Sequence, residues 1–194
     1  RAVDLGCHEG YPGHHVYNML LERNLTNGRG WTEFSVYPLY SPQSLIAEGS
    51  ANYGIELAFS GQERLEYERD VLYPPAGLDP DTAAAYWAVQ IAKQALSGAR
   101  MTIAQQYLDG AVTRDQAIAL NQKYQLVSAE RAAQMTDFNE QYRSYVINYG
   151  LGMEMVRDWI EAQGDAPVWR WKAMERWSSE PMLPWDLVVE VVAD

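Results

Sequence analysis

The chain has one cysteine, Cys7, among its 194 residues, so no intrachain disulfide is open to it. Histidine is almost as scarce, with three in all, and phenylalanine likewise. Positive charge is in deficit: 15 Lys and Arg stand against 26 Asp and Glu, a formal net charge of -11. A surface that grips nucleic acid releases counterions through clustered Lys and Arg, and no such patch is written here, so nucleic acid is not an expected partner. No apolar run approaches the roughly 18 residues that a membrane span requires, and no secretory leader pattern stands at the start. Compartment is left open by the sequence. The chain opens on Arg1 rather than Met and reaches its densest cluster of polar chemistry within eight residues. It is therefore read as the carboxyl-terminal part of a longer protein, with the upstream segment a candidate contact.

What the chain does have is aromatic and apolar mass. Seven Trp, thirteen Tyr and 47% hydrophobic residues describe a folded chain with a large core, and the length suits one domain over 1–194. Apolar positions recur at helical spacing with no sustained alternation of the strand kind, so the expected class is all-α. The spacing predicts a helix from Val16 that frays at Asn24 and the Asn27-Gly28 turn, then an irregular stretch over 28 to 43. Ser44 is expected to cap the next helix, running to about Ser60. Asp79 before Pro80 marks a helix start, with Gly98 a candidate division in the run that follows. Thr113 and Gln116 form a capping box. Further helices are predicted over 127 to 147, 150 to 163 and 167 to 178, separated by a turn at Gly150-Leu151-Gly152 and by Gly164-Asp165. Trp169, Trp171 and Trp177 are expected to fill the core.

All three histidines fall in His8-Glu9-Gly10-Tyr11-Pro12-Gly13-His14-His15. Imidazole and carboxylate are ordinary zinc ligands, and a catalytic site needs three protein ligands with one position left over. A regular helix cannot assemble them from this segment. His8 and His14 stand roughly 600° apart around a helix, on different faces, and His8 and His15 share a face but lie roughly 10 Å apart along the axis. Pro12 removes a backbone donor and Gly13 tolerates unusual dihedrals, so the helix should break there and carry His14 back toward His8. The third ligand comes from elsewhere. On residue type alone Glu48 and Glu56 are equal candidates.

The octapeptide, followed by Ile46-Ala47-Glu48-Gly49, resembles the HE-x-x-PGH and later EG pair of the bacterial domain-of-unknown-function 885 family, a zinc-peptidase-like group. The likeness extends toward Pro184-Trp185-Asp186-Leu187, and departs at Ser50, where family members often carry Trp. It implies one zinc ion held by His8, His14 and Glu48, with Glu9 as general base, in a helical metallopeptidase-like hydrolase acting on a peptide or small amide substrate. Zinc brings the pKa of water near 7, and an adjacent carboxylate takes the proton as that water attacks a carbonyl. A second donor for the developing oxyanion is sought among Tyr145, Tyr149, Arg143 and Arg157. His15 and Tyr11 stand outside the ligand set, and Cys7 is read as a small buried side chain rather than a nucleophile. The competing class is a non-catalytic helical binding or structural domain that keeps a metal.

Overall fold

The computed structural model describes residues 2–59 and 61–188. Among them every regular element is helical, as the periodicity predicts, and no strand occurs. The chain gathers into two compact units. The first holds residues 1–61 and 151–194, and the second residues 62–150. No helix among the described residues is long and apolar enough to cross a membrane.

In the first unit, α1 (Ala2–Leu5) widens into a π-type turn over Gly6–Gly10. The chain then breaks at Pro12-Gly13, and α2 (His14–Leu21) begins. The Tyr11-Pro12 peptide is cis. The break is where the sequence places it. α2 continues past Asn24, because a second wide turn over Glu22–Asn27 keeps the chain helical up to the Asn27-Gly28 signal. After a short 3-10 turn at Thr32–Ser35, α3 (Gln43–Ala58) forms the spine of this unit.

Ser44 is not the cap of α3. It lies inside the first turn, fully buried, and its hydroxyl donates to the Leu39 carbonyl while accepting from the Tyr37 phenol at 3.1 Å. It therefore pins the preceding loop rather than the helix end. From Ser44 to Ala51, and again at Tyr53 and Gly54, α3 is buried. A helix covered on all sides must be small or apolar all round, and Ala47, Gly49, Ser50, Ala51 and Gly54 meet that demand.

The second unit runs through α4 (Gly61–Tyr67), α5 (Ala83–Gln94), α6 (Ser97–Leu108), α7 (Arg114–Gln125) and α8 (Ala129–Tyr142). Asp79 caps the turn Pro80–Thr82 that leads into α5, accepting from the Asp81 amide at 3.0 Å. Gly98 does not divide the α5–α6 run. The division falls at Ala95-Leu96, and Gly98 sits within the first turn of α6. Thr113 and Gln116 close the capping box at the start of α7 as the sequence indicates. α7 packs on both α6 and α8, around Ala104, Ala117, Asn121, Ala132 and Thr136.

α9 (Ile147–Glu161) returns the chain to the first unit, and α10 (Pro167–Trp177) follows. The Gly150-Leu151-Gly152 segment is not a turn, since it lies inside α9. Gly152 is there for proximity: a Cβ on it would stand 2.6 Å from the Leu45 carbonyl oxygen, and one on Gly49 would stand 2.3 Å from the Gly152 oxygen. Two glycines thus let α3 and α9 touch backbone to backbone. On α10, Trp177 is fully buried against Trp159. Trp169 and Trp171 are 53% and 41% exposed, so they face outward rather than fill the core.

Candidate metal centre

The break at Pro12-Gly13 is a sharp fold-back. The Gly13 amide donates to the Cys7 carbonyl at 2.9 Å and the Tyr11 amide to the Gly6 carbonyl at 3.2 Å. The chain returns so closely on itself that a Cβ at Gly13 would lie 1.8 Å from the His8 carbonyl oxygen. Only glycine fits that approach. Pro12 is buried, and its ring rests where Gly54 of α3 leaves room, since a Cβ at Gly54 would meet Pro12 Cγ at 2.8 Å. The proline that breaks the helix also seats the break on α3.

The consequence is that His14 stands beside His8. Their rings meet edge to face with centroids 4.7 Å apart. From α3, Glu48 is aimed at both: its Oε2 lies 3.4 Å from His8 Nε2 and 3.7 Å from His14 Nε2. One ligand atom from each of the three residues falls within a 4.8 Å group. Glu48 is 8% exposed and the two histidines are half-buried. Glu56, the alternative on residue type, accepts from Arg157 Nη2 at 2.9 Å instead. Two turns separate it from Glu48 on α3.

The donor set suits zinc. Two imidazole nitrogens and one carboxylate oxygen leave the fourth position of a tetrahedron open, and ligand atoms about 2.0 Å from a tetrahedral ion stand roughly 3.3 Å from one another. The two Glu48 distances lie near that edge length. His8 Nδ1 is 3.1 Å from Asn52 Oδ1. An Nδ1–H donated to that oxygen leaves Nε2, the nitrogen that faces Glu48, as the ligand atom. Asn52 was not singled out from the sequence, yet its signal is present: it lies four residues after Glu48 on one helix, hence on the same face.

Electrostatically the three side chains are a carboxylate beside two imidazoles. The Glu48 carboxylate, as hydrogen-bond partner and then as charge, raises the His8 pKa above its ordinary value of 6.5. Burial opposes this, and the Glu9 charge adds to it. Glu9 is exposed, next in chain to His8. Tyr37 is a second group that sequence reasoning missed. Burial, joined by the Glu48 charge, pushes its phenol up from the ordinary value, which places Glu48 within its electrostatic reach.

The remaining sequence candidates fall as follows. His15 is exposed, with its ring 5.9 Å from Tyr11, outside the three-residue cluster. Cys7 is buried. Arg157 belongs to the first unit and is engaged by Glu56. Tyr145, Tyr149 and Arg143 belong to the second unit. There Tyr145 and Tyr149 pack edge to face at 5.9 Å, each against Phe138, and Arg143 follows the end of α8 at a positive φ of 49°. No protein-family model, curated protein or solved structure matches the chain.

Proposed function

We propose that the chain is a zinc-dependent hydrolase that cleaves a peptide or another amide bond. The observation that carries the reading is the convergence of His8, His14 and Glu48 from two separate segments onto one point, through a chain reversal that glycine and proline make feasible. The resemblance of the octapeptide and the EG pair to the domain-of-unknown-function 885 family supports the same chemistry.

In this reading His8 and His14 offer Nε2 and Glu48 offers a carboxylate oxygen as the three ligands. Zinc held there supplies Lewis acidity, which brings the pKa of water near 7 and polarises a carbonyl. The chain's own residues do the rest. Glu9, exposed beside His8, accepts the proton of the attacking water and passes it to the leaving amine. Asn52 holds His8 in the tautomer that presents Nε2. Arg157, which belongs to the same unit as the cluster, is a candidate for the donor that steadies the oxyanion, and Tyr37 joins it because it feels the Glu48 charge.

Glu9→Gln separates an enzyme from a domain whose metal only supports folding. The expected result, from digestion of a mixed peptide library, is cleavage by the wild-type chain. The variant should lose at least about a hundredfold in turnover, in line with removal of a general base, with zinc content and melting temperature unchanged. No cleavage of any peptide or amide by the zinc-loaded wild type would contradict the hydrolase reading.

A further inference from the structure

We infer that the second unit carries a binding pocket for a small organic carboxylate with an apolar or aromatic body. A cavity of about 250 Å³ is lined there by Arg100, Arg131, Gln134, Met135, Phe138 and Tyr149. All six residues belong to the second unit. Four of them, at 131, 134, 135 and 138, share one face of α8 by helical spacing. Arg100 comes from α6 and Tyr149 from α9.

The cationic end of the pocket is uncompensated. The Arg100 guanidinium lies over the rings of Phe138 and Tyr149, at 5.5 and 5.0 Å from their centroids. Those faces satisfy its charge in part but accept no in-plane hydrogen bond. Its Nε is buried with no hydrogen-bond partner. Among the described residues neither Arg100 nor Arg131 pairs with a carboxylate, although acidic groups outnumber basic ones in the chain. Burial lowers the Arg100 pKa, with Tyr149 opposing the shift and the Arg131 charge adding to it.

A buried donor left without a partner is a costly arrangement, which a folded chain keeps where something else completes it. A carboxylate does so, because its two oxygens match the planar guanidinium fork. Arg131 donates to Gln134 at 3.1 Å, which steadies the second cation at the rim. Met135 and the two aromatic rings line the rest, so the body of the ligand is apolar. A bare phosphate would leave that lining wet, and the cavity is too small for a drug-sized molecule.

The test is a calorimetric titration of the full chain with phenylacetate and benzoate, and separately with inorganic phosphate. Saturable binding of the aromatic carboxylates is expected, with phosphate weaker. Arg131→Gln and Arg100→Met should each weaken it by about tenfold or more, as expected for a lost charge-assisted hydrogen bond. Without ligand, Arg100→Met should leave the melting temperature unchanged or higher, because an uncompensated buried charge is removed. A ligand-induced rise in melting temperature should vanish in the same variant. The inference is overturned by the absence of saturable binding, by equal binding of phosphate, or by binding that both arginine variants leave intact. Binding lost in His8→Ala but kept in the arginine variants would overturn it too, since the ligand would then sit on the metal cluster.

Discussion

Asn52 is the smallest feature on which the proposed zinc site turns. It supplies the one acceptor that holds His8 Nδ1, and partners of this kind commonly govern metal affinity by about 10 to 100-fold. Asn52→Ala is expected to weaken zinc binding by that range, read by competition with a chromophoric chelator, while the metal-free melting temperature moves little. Unchanged affinity would show that His8 needs no such partner. A pH prediction belongs to the same residue. Because the folded chain raises the His8 pKa above 6.5, its protonated form stabilises the metal-free fold. That contribution is complete below about 6.5 and is lost as pH rises through the raised value. Chelator-treated protein should therefore lose stability on this account from about pH 6.5 upward, and His8→Asn should remove that dependence. Zinc needs the neutral ring, so its affinity should fall as pH drops, beginning above pH 6.5. Thermal melts across this range, with and without chelator, check both signs.

At the scale of elements, three glycines act by absence of a side chain. Gly13 admits the fold-back that carries His14 to His8, while Gly49 and Gly54 let α9 and Pro12 press on α3. At Gly49 a Cβ would meet backbone on α9, which cannot rotate away. Gly49→Ala should therefore cost about 1–3 kcal/mol in urea unfolding, the range of core overpacking. An unchanged unfolding midpoint would mean that α3 and α9 separate without cost. Thr113→Ala should cost about 1 kcal/mol through loss of the α7 cap. These elements also mark where sequence reasoning succeeds. The capping box at Thr113 and the break at Pro12-Gly13 are local, written in residues that touch one another, and both are legible. The glycines of α9 and the serine of α3 misled because their reasons are tertiary: Gly152 answers Leu45 and Ser44 answers Leu39, partners that no local pattern names. Trp169 and Trp171 misled likewise, since the face α10 presents outward is set by its neighbours and not by its composition.

For the molecule as a whole, the all-α class was legible from periodicity, and the division into two compact units was not, because helical spacing carries no information about which helices gather together. The cluster was legible in part. The two histidines are eloquent for being scarce and close, whereas Glu48 is one of many acidic residues and needed the family resemblance to distinguish it from Glu56. Binding of zinc to the folded chain would couple the metal to stability, by about 2.7 kcal/mol at a hundredfold excess over the dissociation constant. Hydrogen exchange should slow on zinc addition at residues 6–14 and 44–52, which carry the ligands and Asn52. The central claim is that His8, His14 and Glu48 form one zinc site, and its most direct test is the zinc content of chain purified without added metal. One zinc per chain is expected in the wild type and in Glu56→Ala, with background levels in His8→Ala, His14→Ala and Glu48→Ala. A wild-type chain free of zinc, or a Glu48→Ala chain that keeps its full complement, would contradict the account.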